Sequence, residues 1–346
     1  MAAGYRPVQW NANKVIYDLV LWSGIVLFAA GYLVIGTLMA SPENPISEPI
    51  LVIRVTGLTA FTMLTIILMI GPLARLDTRF LPLLYNRRHF GVSLFLVLLV
   101  HAGVVLTWYH GFGKINPFVS LLSGRNVTGG AELVSFEILG VAAFLILFVL
   151  AATSHDFWLN QLSAPIWKAL HMGVYVAYAL VIGHVALGFV QAESSPLHPA
   201  WVGAGLALVA GLQLAAGLKG ANQYGATHSR RDGWIKVCPV ADIPQNRAKI
   251  VNIAGADRAA VFRYGDRISA VGNACRHQNG PLGEGRIVDG CITCPWHGYQ
   301  YDPATGRAPP PFTEKIPTYR VKVENGIVWL HPEALPPGTP VTPATV

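Results

Sequence analysis

The chain has 346 residues, of which 53% are apolar and 12% charged, against the ~25% charged residues of an ordinary soluble domain. Eighteen charged residues fall in residues 1–218 and 25 in residues 219–346, so an apolar half precedes a half with the charge density of a small globular domain. A lone soluble enzyme, a disordered chain and a disulfide-stapled module are excluded, and although the net charge is +7, basic residues flank apolar spans as membrane topology requires, which sets nucleic acid aside as a partner.

In chain order, six apolar runs reach the ~20 helical residues that a hydrocarbon core requires. They lie at residues 15–40, 50–70, 90–109, 133–152, 166–190 and 200–218. The first is too long for a signal h-region and has no small-residue cleavage site, so it is expected to be a retained span. The loop 41–49 is Pro-rich and acidic, whereas the next loop carries Arg75, Arg79, Arg87 and Arg88. Loop 191–199 has no Lys or Arg, and Lys219, Arg230 and Arg231 follow the sixth run. The positive-inside bias therefore predicts both termini in the cytoplasm and a multi-pass protein of the inner membrane; Lys114 and Arg125, in the third loop, dissent. The expected architecture is an all-α polytopic membrane bundle of about six transmembrane helices over residues 1–219. A linker at 220–232, a small all-β domain at 233–332 and a Pro-rich tail at 333–346 are expected to follow.

Imidazoles at membrane depth need partners and usually mark function. His101 lies in the third run, His171 and His184 in the fifth. A single one would be served by a neighbouring backbone; three together point to ligation of haem iron by facing helices. At ~1.5 Å per residue, His101 and His184 both lie roughly 17–27 Å from the cytoplasmic ends of parallel spans, so they are expected to bracket one haem in the outer half. His171 lies only ~7 Å in, and the matching depth in the third run is near His89, which predicts a second, inner haem. Against it, a separation of 13 residues turns His184 about 140° from His171 on an ideal helix, with Gly173 and Gly183 as the places to distort it. His110 and His155 lie at span ends, where solvated histidines are expected.

The run Arg87-Arg88-His89-Phe90-Gly91-Val92 leading to His101, then Trp167-Lys168-Ala169-Leu170-His171, Tyr175 and His184, resembles the ferric reductase-like transmembrane domain. It is similar in particular to the haem-binding membrane subunit of the bacterial methionine sulfoxide reductase system. The resemblance covers roughly residues 50–190 and implies b-type haem and electron transfer across or into the membrane. It does not supply His89, which rests on depth alone. Nothing resembles the flavin and nicotinamide domains of eukaryotic relatives: the GxG at Gly203-Ala204-Gly205 lies inside the sixth run, where small residues serve helix packing.

Near Gly220 short β-rich segments begin, at residues 234–240, 249–253, 259–264, 268–271, 321–323 and 327–330, punctuated by Gly, Pro, Asn and Asp. Among them stand Cys275-Arg276-His277 and, 16 residues later, Cys294-Pro295-Trp296-His297. Two thiolates and two imidazoles would suit tetrahedral zinc. Zinc fingers, however, pair Cys with Cys and His with His, whereas here each loop contributes one of each, which lets two loops hold two irons. With Gly280-Pro281-Leu282 and Gly298-Tyr299-Gln300-Tyr301-Asp302 around it, the pattern resembles a Rieske [2Fe-2S] domain over about residues 233–331. The resemblance implies a cluster held by Cys275, His277, Cys294 and His297.

Rieske proteins of respiratory complexes add a disulfide between the cluster loops; the matching positions here are Gly280 and Trp296, so none is expected, and Cys238 and Cys291 are expected to be reduced thiols. High-potential members place a serine after His-Gly, where this chain has Tyr299; losing that donor to a cluster sulfur lowers the potential, while Tyr301 matches the family tyrosine. A Rieske ferredoxin is implied.

The leading expectation is a membrane oxidoreductase passing electrons between a cytoplasmic [2Fe-2S] cluster and one or two b-type haems, supplied by a cytoplasmic flavoprotein or reduced carrier and directed to quinone or an outer-face acceptor. The rival is a membrane-anchored ferredoxin serving a cytoplasmic partner, its spans a tether in the lipid. A ring-hydroxylating oxygenase is set aside, because only 16 residues follow Leu330 and its iron domain needs two histidines and a carboxylate of its own.

Overall fold

In hydrocarbon every backbone N–H and C=O must be satisfied within its own segment, so apolar runs of this length form helices. A computed structural model describes residues 12–38, 46–80, 83–84, 87–123, 125–128, 131–154, 158, 161–162, 164–190, 196–224, 230–253, 257–277, 279–295 and 298–346. Among them five helices are long and apolar enough to cross a membrane, at Val15–Leu38, Glu48–Leu76, Arg87–His110, Ile166–Gly188 and Leu197–Gly220. The chain is thus a multi-pass membrane protein. Contacts divide it into two units, a helical one and one holding Ala215–Val346.

In the helical unit, α1 (Ala12–Leu38), α2 (Glu48–Leu76) and α3 (Arg87–His110) are followed by the short α4 (Pro117–Ser123). An antiparallel pair, β1 (Arg125–Thr128) and β2 (Ala131–Val134), comes next. The fourth expected run, placed at 133–152, therefore loses its first residues to a strand; its helix α5 (Phe136–Ala152) has 17 residues, about 25 Å. Ser135 caps it, its hydroxyl accepting from Glu137 N–H at 3.3 Å. The fifth run divides into α6 (Ala164–His171) and α7 (Gly173–Val185), continues as a π turn at Ala186–Val190, and is followed by α8 (Leu197–Tyr224).

α2 packs on α3, and α5 on α7. Phe61, Leu64 and Leu68 are buried on α2, whereas Leu19, Val26, Leu27 and Ile35 on α1 are exposed, as a lipid-facing helix requires. Thr56, Thr59, Thr62 and Thr65 each return the hydroxyl to the carbonyl four residues earlier, which removes the cost of a bare hydroxyl in an apolar bundle.

The second unit is antiparallel throughout. One sheet joins β11 (Thr318–Tyr319), β7 (Arg267–Gly272), β6 (Ala259–Tyr264) and β5 (Arg247–Val251) in that order. A second joins β12 (Val321–Glu324), β13 (Ile327–Leu330), β4 (Trp234–Pro239) and β3 (Arg230–Arg231); a third joins β10 (Gln300–Tyr301), β9 (Cys291–Thr293) and β8 (Arg286–Val288). Successive side chains of a strand point to opposite faces. In β6, Ala259 and Val261 enter a core with Ile235, Val251, Ile268, Tyr319, Val328 and Leu330, while Ala260 and Phe262 enter another with Leu282, Ile292, Cys275, Cys294 and Tyr301. β6 is therefore buried on both sides, and the second core carries both cysteines of the expected cluster set.

Residues 333–346, expected as a tail, are part of this unit. Leu335 N–H donates to Thr318 O and Val341 N–H to Ala304 O, and β14 (Ala344–Thr345) pairs with β7, Ala344 opposite Ile268. Prolines there shape a strap rather than a coil. The expected linker at 220–232 likewise contains the end of α8 and all of β3, with residues 225–229 outside those described.

Candidate functional site

Two loops in the second unit share one construction. In the first, which follows β7, Cys275 N–H donates to Gly280 O at 2.9 Å and Asn279 N–H to Cys275 O at 2.7 Å. In the second, between β9 and β10, Cys294 N–H donates to Tyr299 O at 2.8 Å and Gly298 N–H to Cys294 O at 3.0 Å. Each turn thus closes through the cysteine's own backbone, with a positive-φ residue four places on, Asn279 (62°) or Gly298 (71°). The strand pair behind the second loop is set by Asp289 and Gly290, both at positive φ, the two-residue hairpin turn whose hand matches strand twist.

Cys275 is 1% and Cys294 2% exposed, in the shared core described above. Tyr301 Oη lies 3.5 Å from Cys275 Sγ and accepts from Arg276 N–H at 3.0 Å, so its own proton is available to the sulfur. Burial, then the adjacent Cys275 thiolate, push Tyr301 well above the usual phenol range; it stays a donor. His277 stacks on Tyr299, centroids 5.3 Å apart and planes 10° apart. His297 and Trp296 lie outside the described residues, among which no group of three or more His, Cys, Asp and Glu closes on one metal position. No disulfide joins any of the four cysteines, all of which are described. Burial raises the thiol pKa of Cys238 and of Cys291, so neither is an activated thiolate.

In the helical unit the structure brings His101 of α3 and His184 of α7 together, ring centroids 6.4 Å apart and planes perpendicular. His101 Nδ1 bonds Ile53 O at 3.1 Å, with Thr56 Oγ1 at 3.3 Å; His184 Nδ1 bonds Phe136 O at 2.8 Å. A backbone carbonyl needs a donor, so each ring carries its proton on Nδ1 and keeps the Nε2 lone pair for a metal. The separation suits two imidazoles on one ion at metal–nitrogen bonds of ~2 Å. Small residues leave room for the rings: a Cβ at Gly57 would lie 3.0 Å from His101, and one at Gly140 would lie 2.8 Å from His184.

His171 ends α6. Met172 N–H bonds Ala169 O and Tyr175 N–H bonds Met172 O, a tightened turn that breaks the regular phase between His171 and His184. His89 engages Asp18 of α1, its Nδ1 3.0 Å from Oδ2. Sequence reasoning missed Asp18, although a lone carboxylate in the first span was a usable signal. His110, expected to be solvated, is buried instead: Nδ1 lies 2.9 Å from Ser120 Oγ and Nε2 3.5 Å from Glu137. The unexpected α4 supplies Ser120 and so covers the end of α3. His155 lies outside the described residues.

Comparison with known proteins agrees with both halves. Residues 233–320 match the family described as the Rieske [2Fe-2S] domain, and residues 56–182 match the ferric reductase like transmembrane component. The chain is 35% identical over 101 residues to Ferredoxin CarAc of Metapseudomonas resinovorans, covering 29% of this chain and 94% of that protein. It is 35% identical over 105 residues to the 3-phenylpropionate/cinnamic acid dioxygenase ferredoxin subunit of Escherichia coli (strain K12), covering 30% and 97%. Among solved structures, Sphingomonas yanoikuyae B1 ferredoxin is similar at 31% identity over 28% of this chain and 96% of its own, with a TM-score of 0.26.

Proposed function

From a chain that belongs to the Rieske [2Fe-2S] family by its C-terminal domain and joins to it a ferric reductase-like transmembrane component, and so has an electron-transfer role, we propose a conduit. It passes electrons between a cluster on Cys275, His277, Cys294 and His297 and b-type haem on His101 and His184, towards quinone or an outer-face acceptor. When bound, cluster and haem each supply a one-electron couple.

The observation that carries this reading is the His101–His184 pair, whose rings are 6.4 Å apart. A tether in lipid has no use for two imidazoles spaced in this way. Ile53 and Phe136 fix the tautomers through their carbonyls, while Tyr301 donates at the Cys275 sulfur. We assign His171 to a second, inner haem, with His89 as its partner and Asp18 as the carboxylate that orients His89. The loop charges support cytoplasmic termini in the inner membrane, hence a cytoplasmic flavoprotein or reduced carrier as donor.

The test is optical and EPR spectroscopy of the full chain in detergent. His101→Ala and His184→Ala should abolish the same low-spin haem signal and leave the Rieske EPR signal; Cys294→Ser should do the reverse. Haem-free native protein would overturn the conduit in favour of the anchored ferredoxin, and zinc without labile sulfide would overturn the cluster.

A further inference from the structure

The ring that lies on His277 is itself held from several sides. The Tyr299 hydroxyl donates to Glu314 Oε2, an oxygen that also accepts from Thr313 N–H at 3.1 Å. The Glu314 backbone carbonyl accepts from Ala308 N–H at 2.9 Å, which closes the proline loop between them. Phe312, 55% exposed, packs on Tyr299 at 5.0 Å between centroids. On another side Tyr301, the donor to Cys275, lies 5.4 Å from it. Tyr299 therefore joins the surroundings of one expected iron ligand, His277, to those of another, Cys275.

We propose that Tyr299 is a positioning residue, which fixes the plane of the His277 imidazole by stacking and, through its bond to Glu314, ties that ligand to a carboxylate that lowers the cluster potential. A hydroxyl committed to Glu314 is not donating to a cluster sulfur, so this position does the opposite of a serine there. Reduction adds negative charge to the cluster, and a carboxylate held nearby disfavours it.

The inference rests on the ligand set proposed above, and its test separates the two. In the full chain in detergent, iron, labile sulfide, EPR g values and the midpoint potential are measured for the native protein, Tyr299→Phe, Tyr299→Ala, Glu314→Gln and the double variant Tyr299→Phe/Glu314→Gln. Tyr299→Phe keeps the stack and loses the link: native g values and a positive potential shift are expected. Glu314→Gln should shift in the same direction, by about tenfold in the reduction equilibrium, ~59 mV for one electron. The double variant should shift no further than the larger single, because both break one link. Tyr299→Ala should also change the g values. Additive shifts, or native potentials in both single variants, overturn the inference while leaving the ligands standing; native protein without a cluster overturns both. If Glu314→Gln assembles no cluster, the sign of the Tyr299→Phe shift alone decides.

Discussion

A histidine in an apolar bundle is defined by what its two nitrogens touch. At His101 and His184 a carbonyl occupies Nδ1, and glycine stands where any side chain would press on the ring. Gly140→Ala tests that contact, since its Cβ would fall 2.8 Å from His184. Alanine is otherwise about 1 kcal/mol better than glycine inside a helix, so a loss here reports the clash and not helix propensity. Gly140→Ala should lower low-spin haem content severalfold, while Gly103→Ala, with nothing within 4 Å of its Cβ, should retain it. Equal haem in both, by pyridine haemochrome assay, would show that His184 yields without cost. The same residue-scale logic explains why His110 was misread from sequence: span ends are normally wet, and only the short helix bearing Ser120 and the start of α5 bearing Glu137 enclose it.

Elements were legible where they repeat a pattern over enough residues. The helices other than the short α4, and the strands β4 to β7, β12 and β13, lie within about six residues of their sequence limits, because long apolar runs and β-branched clusters carry a period. Strands of two or three residues, such as β8 and β10, carry none, and β2 was absorbed into an apolar run because Leu133 and Val134 read as its continuation. The final strap was read as a tail for a related reason: its prolines and glycine look like coil, and its pairing with β7 is long-range. That strap makes a testable contribution. Besides the β14 pairing, it supplies Thr339 O to the buried Thr318 hydroxyl at 2.8 Å and Gly338 N–H to Ile316 O at 3.1 Å. At roughly 0.5–1.5 kcal/mol net per bond, ending the chain at Glu333 should cost on the order of 3 kcal/mol. The check is the urea midpoint for loss of cluster absorbance in the full chain against the truncated one; an unchanged midpoint would mean the strap merely lies on the sheet.

For the whole molecule, the two units meet opposite demands with one chain: residues of α1 that would be an aggregation hazard in water are an ordinary surface in lipid, while the β unit buries Tyr301, Phe262 and Leu330 as a water-soluble core does. The side of the membrane on which the β unit lies decides which donors can reach it. Arg75, Arg79, Arg87 and Arg88 between or at the facing ends of α2 and α3, and Lys219, Arg230 and Arg231 at and after the end of α8, outnumber Lys114 and Arg125, which fall between α3 and α5. This asymmetry acts through short loops close to span ends. The seven basic positions should therefore hold the C-terminus in the cytoplasm. A fluorescent protein fused after Val346 should fold and emit, and an alkaline phosphatase fused at the same point should stay inactive. The opposite pair of results would put the β unit, with Cys238 and Cys291, in an oxidising compartment, and require the electron donor to be sought on that face.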